Sequence, residues 1–196
     1  MTDNVSILIT GDFCPVNRTG KLILEGRAAS LLHDFLPAVK KAGLAVTNLE
    51  CPLTDSELGI RKIGPLIKAP VDTAKVLSDW GFGLVTLANN HIMDYGICGL
   101  SSTISACDDY KIDHVGAGED LTDAGKSYKC HLGNYRWAIL NFAENEFSTT
   151  HGDHPGANPL DIIENCRDIV KAKSVSDYVV VIVHGGHEMY NLPSPR

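Results

Sequence analysis

The sequence lacks any apolar stretch approaching the roughly 20 residues that a membrane-spanning helix requires. The N-terminus, MTDNVSILITGD, also lacks the basic segment of a secretory signal, and its short apolar run ends at a glycine and an aspartate. We therefore expect a cytoplasmic protein with no membrane segment in this chain.

Positive charge is also scarce, with 17 Lys and Arg against 24 Asp and Glu and a formal net charge of −7. A general nucleic-acid binder needs a basic face to displace counterions from phosphates, so we expect no nucleic-acid partner. The net charge does not exclude a local basic or metal-charged pocket.

Cysteine pairs of the C-x-x-C type are absent, although the chain has six cysteines. In a chain without an export signal we expect reduced thiols, most of them small buried apolar residues.

Internal repeats and low-complexity tracts are absent too, and 44% of the residues are hydrophobic. These properties predict one globular domain over residues 1–196.

Short β-branched runs alternate with amphipathic stretches, which is typical of an α/β fold. Strands are predicted over 5–10, 44–50, 82–88 and 177–188, with a short strand and a glycine turn over 112–118 and a hairpin over 126–144 that turns at Gly133-Asn134. Helices are predicted over 28–42, with a kink or break at Pro37, and over 71–81, 99–111 and 160–175. Residues 51–70 contain three prolines and two glycines and are predicted to form a loop.

Polar side chains follow four of these strands at the point where each strand ends. The four ends are Gly11-Asp12, Asn48-x-Glu50, Asn89-Asn90-His91 and His184-Gly-Gly-His187-Glu188. Sites in open α/β sheets form beyond the carboxyl ends of strands, so these groups are expected to meet. Carboxylate, amide and imidazole donors suit one or two divalent ions such as Zn²⁺, Mn²⁺, Fe²⁺ or Mg²⁺.

The segments GDFCP, NLECPLT, KAP, LANNHIMDYG, VGAG and VHGGHE follow one another in a recognisable order. In that order the sequence resembles the bacterial capsule-synthesis CapA family, the PGA_cap domain, across nearly the whole chain. That family is linked to poly-γ-glutamate capsule production and is similar in fold to calcineurin-like metallophosphoesterases. The resemblance implies an α/β (α+β) fold, a four-layer αββα sandwich of the metallo-dependent phosphatase type, with one or two metals between the sheets.

The resemblance also implies roles for particular residues. By position, Asp12 would be a terminal metal ligand, Glu50 the bridging carboxylate, Asn90 an amide ligand and His184 an imidazole ligand. His91 would be the catalytic residue, contacting a substrate oxyanion or protonating the leaving group.

The sequence departs from the family pattern at two places. Cys14 stands where a ligand histidine is expected, so that ligand is either a thiolate or absent. The Gly-His-Pro-His type of motif that follows in the family does not occur before Arg196. The resemblance therefore implies a domain that is incomplete at its C-terminal end, in which His187, and with it Glu188, are additional candidates near the metal.

Other polar residues near these motifs have two interpretations each. Asp94 could orient His91 or cap the following helix, and the cap is favoured, while Asn89 is expected to tie neighbouring loops together by amide hydrogen bonds. His151 and His154 are predicted to be surface residues rather than parts of a lid. The basic residues Arg18, Arg61 and Lys62 could meet an anionic substrate or be solvated surface charges.

Two functions follow from these observations. The first is a metal-dependent hydrolase of the phosphoesterase type, in which a metal-activated water attacks a small anionic or polymeric substrate. The second is a non-catalytic polymer-binding or export factor for capsule or poly-γ-glutamate, although an acidic polymer suits a chain of charge −7 only if metals bridge the charges. A scaffold that binds no metal is a third, plainer possibility. Nothing in the residue pattern indicates an oligomeric state.

Overall fold

Two β-sheets lie at the centre of the computed structural model, which describes residues 5–144 and 146–186. The first sheet is parallel, in the order β1 (Ile7–Phe13), β2 (Leu44–Leu49), β3 (Leu84–Thr86) and β4 (Asp113–Val115). In the second, β7 (Tyr135–Ala143) lies between antiparallel β6 (Tyr128–Leu132) and parallel β9 (Tyr178–His184). A short antiparallel pair joins β5 (Ala117–Gly118) to β8 (Gly156–Ala157).

The helices fill the connections between the strands. They are α1 (Asn17–Leu24), α2 (Ala29–Leu32), a 3-10 turn (His33–Phe35), α3 (Leu36–Lys41), α4 (Thr73–Trp80), α5 (Gly96–Asp109), α6 (Leu121–Ala124) and α7 (Ile162–Val175). Within the described part of the chain, none of them is both long and apolar enough to cross a bilayer.

Strand alternation explains how the layers stack. In β2, Leu44 and Val46 point toward the second sheet and pack in a cluster with Ile139 of β7. The intervening Ala45 packs on the other face, in the large core formed with α1, α3, α4 and α5, to which Leu77 belongs. The outer face of the second sheet is covered by α7 in a third cluster. The layers are therefore helix, sheet, sheet and helix, and the predicted αββα sandwich is confirmed.

Most predicted elements are present with shifted ends. The hairpin, the loop over 51–70 and the helices α4, α5 and α7 agree with the sequence analysis, and Gly81 ends α4 with a left-handed φ of 96°. The predicted helix 28–42 is wrong as a single helix. It is divided at His33, which has a φ of 42°, and Pro37 lies in the first turn of α3, where proline is tolerated.

The short helix α1 was not expected from the sequence. Its N-cap is Val16, whose side chain cannot accept the hydrogen bonds of the first turn, so the usual start signal is missing. Gly20 is buried in the middle of the helix, where a Cβ would lie 2.7 Å from the carbonyl oxygen of Pro15. Close packing therefore requires a residue that normally disfavours a helix.

The carboxyl ends of the two sheets are joined by a buried asparagine. Asn141 of β7 accepts a hydrogen bond from the Ala88 N–H at 2.7 Å, and its Nδ2 donates to the Ile182 carbonyl at 3.2 Å. Gly116 lies against this amide with a φ of 97°, and a Cβ there would come 2.1 Å from Asn141 Oδ1. These contacts fix the end of β3 relative to β9, which is where the polar residues gather.

Candidate metal centre

Three strand ends bring two carboxylates and an imidazole together. Asp12 lies in β1 after an irregularity in its pairing with β2, Glu50 follows β2, and His184 ends β9 in the other sheet. Potential ligand atoms of these residues all lie within 4.8 Å of one another, and this is the one such His, Cys, Asp and Glu group among the described residues. Tetrahedral nitrogen and oxygen ligands of one zinc ion lie roughly 3.4 Å apart, so the cluster approaches this spacing without matching it.

The His184 ring lies between the other groups. Its Nε2 is 3.1 Å from Asn90 Oδ1 and 3.6 Å from Glu50 Oε1, while Nδ1 is 3.5 Å from Asp12 Oδ1. Asn90, from the loop after β3, therefore adds an amide oxygen to the same place. Two carboxylates, one imidazole and one amide form a donor set that fits a divalent ion of the hard or borderline class.

Asn48, which the sequence places among the polar strand ends but which was given no role at the site, is a further member of this cluster. Its Nδ2 donates to Asp12 Oδ1 at 2.7 Å and lies 3.2 Å from His184 Nδ1. Its Oδ1 accepts from Thr86 and Asn89. The signal was present in the sequence, because Asn48 continues the inward-facing alternation of Leu44 and Val46 at a position where an apolar residue is expected.

His91 lies beside the cluster and is held by a buried carboxylate. Its Nδ1 is 2.8 Å from Asp94 Oδ2. A carboxylate oxygen only accepts hydrogen bonds, so the proton between these atoms belongs on Nδ1, and Nε2 is the ring nitrogen left for another partner. Burial raises the pKa of Asp94, but hydrogen bonds from His91 and Lys62 lower it by a larger amount, so the pKa lies below its ordinary value.

The favoured assignment of Asp94 as a helix cap is wrong. Helix α5 begins at Gly96 with Tyr95 at its N-cap, and no side chain caps it. The Asp94 carboxylate instead contacts His91, Lys62 and the Ile67 N–H. The alternative interpretation, in which Asp94 orients His91, agrees with these contacts.

Asn89 connects loops, in agreement with the sequence analysis. Its Nδ2 donates to the Leu49 carbonyl at 2.9 Å, and its Oδ1 accepts from the N–H groups of His91 and Ile92 at 3.1 and 2.9 Å. The side chain is fully buried. It holds the turn that carries Asn90 and His91 against the end of β2.

Cys14 lies near the cluster but is not brought into it. The Cys14 and Cys51 thiols are hydrogen-bonded to each other, which holds the pKa of Cys14 below and that of Cys51 above the ordinary value. Cys14 does not belong to the group formed by Asp12, Glu50 and His184. The thiolate ligand considered from the sequence is therefore not part of this arrangement.

The remaining candidate residues fall into two groups. His187 and Glu188 lie outside the described residues. His151, His154, Arg18 and Arg61 are exposed, whereas the side chain of Lys62 is buried, so the interpretation of Lys62 as a solvated surface charge is wrong.

The sequence is similar to that of several known proteins. The family model described as bacterial capsule synthesis protein PGA_cap matches residues 6–196. Capsule biosynthesis protein CapA of Bacillus anthracis is 32% identical over 203 residues, covering 99% of this chain and 49% of that protein. PGA biosynthesis protein CapA of Bacillus subtilis is 29% identical over 206 residues, covering 99% and 52%.

A further relative and a solved structure also match. A probable polyglutamine synthesis accessory protein of Mycobacterium tuberculosis is 30% identical over 175 residues, covering 82% of this chain and 44% of that protein. A crystal structure described as a novel phosphatase from Mycoplasma pneumoniae matches with a TM-score of 0.53 and 17% identity, covering 95% of this chain and 57% of that one. The chain thus spans about half the length of the curated relatives, and the structural match shows a shared fold.

Proposed function

Because the chain belongs to the bacterial capsule synthesis protein family, PGA_cap, we propose that it is a metal-dependent phosphoesterase-type hydrolase acting in capsule or poly-γ-glutamate biosynthesis. The observation that carries the proposal is the meeting of Asp12, Glu50 and His184 within 4.8 Å at the carboxyl ends of strands from two sheets. The place of action is supported by the names of the relatives, and the reaction class by the phosphatase-like fold.

The residues of the cluster are proposed as metal ligands. Asp12, Glu50, Asn90 and His184 would hold one or two divalent ions, with Mn²⁺, Zn²⁺, Fe²⁺ and Mg²⁺ as the candidates. A divalent ion bound there supplies positive charge for the transition state and lowers the pKa of water toward about 7. Glu50 would be the carboxylate shared by two ions, a role supported by its position beside His184 and after the strand that pairs with β1.

His91 is the group that we assign to the substrate. Its Nδ1–H is engaged by Asp94, so the ring orientation is fixed, and a protonated Nε2 would donate to an oxygen of an anionic substrate or to its leaving group. Asp94 is fully buried and does not itself face solvent. The ring would therefore act on the substrate through Nε2, while Asp94 fixes its orientation through Nδ1.

The test of this function is hydrolysis of p-nitrophenyl phosphate with added Mn²⁺. We expect turnover by the wild-type chain and its loss in Asp12→Asn. In His91→Ala, kcat should decrease by about 10²- to 10⁴-fold, because proton transfer by a positioned side chain contributes about that factor. His131→Ala is the matched control, since His131 lies exposed on β6, and it should retain full activity.

A polymer-binding role is the second candidate, because the relatives' names describe biosynthesis and an accessory function. Poly-γ-glutamate that stays bound in EDTA, together with no hydrolysis by the metal-loaded wild type, would replace the hydrolase by this role. Binding that EDTA abolishes would instead agree with substrate recognition at a metal centre.

A further inference from the structure

The side chain of Lys62 is buried in a loop whose residues are mostly exposed. It lies between the isolated bridge residues Leu53 and Ala69, in a segment without helix or strand. The Lys62 side chain is 4% exposed, while the next residue, Ile63, is 89% exposed. A lysine ammonium is rarely buried unless it is paired, so a specific partner must hold it.

That partner is Asp94, which also accepts from the backbone of the same loop. Lys62 Nζ donates to Asp94 Oδ1, and the Ile67 N–H donates to Asp94 Oδ2 at 2.8 Å. The Ile60 N–H donates to the Asp94 carbonyl oxygen at 2.9 Å. One residue therefore receives three hydrogen bonds from three positions of the loop.

The same carboxylate orients His91, so the loop and the imidazole share one support. Asp94 Oδ2 accepts from both His91 Nδ1–H and the Ile67 N–H, and Lys62 Nζ lies 3.2 Å from His91 Nδ1. A displaced loop would withdraw two of the donors that fix the carboxylate. The orientation of His91 therefore depends on the anchoring of residues 54–68.

We propose that Lys62 is a positioning residue, which anchors the loop 54–68 on Asp94 and thereby fixes the imidazole of His91. The assignment of a catalytic effect to this anchor rests on the proposed hydrolase function, whereas the anchoring itself does not. Burial of the ammonium separates this role from direct contact with an anionic substrate, for which Lys62 Nζ would have to leave Asp94.

The anchoring is tested by amide hydrogen exchange on the metal-free protein. In Lys62→Met, which removes the ammonium and keeps an unbranched side chain one heavy atom shorter, the Ile60 and Ile67 amides should exchange at least tenfold faster than in the wild type. Lys75→Met is the matched control, because Lys75 is exposed and pairs with Asp79 on α4, and it should leave both amides unchanged. Unchanged exchange in Lys62→Met overturns the proposal, whether or not the protein is a hydrolase.

The positioning effect is tested by a double-mutant cycle with Asp94→Asn. We expect Lys62→Met to lower kcat by about 10- to 100-fold, as for other groups that orient an active-site histidine, with KM changed less than about twofold. If Lys62 acts through Asp94, adding Lys62→Met to Asp94→Asn changes kcat by less than about twofold. The same loss in both backgrounds would overturn the proposal, since Lys62 would then act independently.

The double variant also serves as a control for loss of folding in Lys62→Met. Lys62→Met alone leaves the Asp94 carboxylate buried with one cation fewer, whereas Lys62→Met/Asp94→Asn removes both charges and is the easier protein to fold. If the wild type hydrolyses no phosphoester, the proposed function fails, and the exchange of the Ile60 and Ile67 amides alone decides whether Lys62 is the anchor.

Discussion

At the scale of single residues, the amide of Asn48 shows how a side chain can organise a site without being one of its ligand candidates. Its Nδ2 contacts Asp12 and His184, and its Oδ1 accepts from Thr86 and Asn89. These four groups come from both sheets and from the loop after β3. Asn48 therefore fixes the spacing between carboxylate and imidazole before any ion is bound.

Asp177 is a residue whose protonation the structure predicts in detail. Hydrogen bonds from the Arg136 side chain and backbone N–H lower the pKa of Asp177 from 3.8 to about 2. A carboxyl whose pKa is depressed on folding stabilises the folded state above its unfolded pKa. That contribution is present above about pH 4 and is lost between about pH 4 and pH 2.

The measurement is the pKa of the Asp177 carboxyl carbon signal by NMR. In Arg136→Gln we expect this pKa to return toward 3.8, because the guanidinium that favours the ionised form is gone. Arg167→Gln is the control, since Arg167 pairs with Glu164 on α7. An Asp177 pKa near 4 in the wild type would contradict the prediction.

Some of these residues could be identified from the sequence and others could not. Asp12, Glu50, Asn90 and His184 each follow a strongly apolar run, so their place at a sheet edge was predictable, and metal binding by them stays a prediction. Lys62 gave no such signal, because an irregular loop has no periodicity from which burial can be inferred. The role of Asp94 was equally hidden, since a carboxylate before a helix is more often its cap.

At the scale of elements, α4 is the helix whose packing is easiest to test. Leu77 is fully buried in the core between the helices and the first sheet. Leu77→Ala should lower the free energy of unfolding by about 2–5 kcal/mol, because it removes apolar burial and leaves a cavity. Urea unfolding followed by circular dichroism measures the change.

The matched control for this prediction is Leu58→Ala in the loop, where the leucine is 84% exposed. Its free energy of unfolding should change by no more than about 0.5 kcal/mol. Similar losses in the two variants would mean that Leu77 does not carry the packing of α4.

Element prediction succeeded where capping and periodicity agreed. Helix α7 begins after Asp161, whose Oδ1 accepts from the Ile163 and Glu164 N–H groups at 2.9 Å, and both its start and its length were close to the expected ones. Helix α1 lacked such a cap. The segment 28–42 had helical spacing throughout, but the left-handed His33 divides it, and no local sequence pattern announces that turn.

At the scale of the whole molecule, a ligand that joins the two sheets should stabilise the fold. We expect Mn²⁺ or Zn²⁺ at a hundredfold excess over its Kd to stabilise the wild-type protein by about 2.7 kcal/mol, since it binds the folded state. This should raise Tm by several degrees in a scanning calorimeter, and EDTA should reverse the increase.

Two variants make the stabilisation specific. Asp12→Asn should lose most of the increase in Tm, because it removes one carboxylate of the cluster. Asp153→Asn, which changes a carboxylate that is 94% exposed in the loop before β8, should keep it. An equal increase in both variants would indicate that the ion binds elsewhere.

The composition of the cluster has a consequence for biosynthesis of the protein itself. His184 lies 94 positions after Asn90, so a growing polypeptide displays Asp12, Glu50 and Asn90 on the ribosome long before their imidazole partner has been translated. Early capture of a cation would be limited to oxygen donors, and its affinity should rise sharply once β9 has docked beside β7. Metal loading would thus report that synthesis has passed β9.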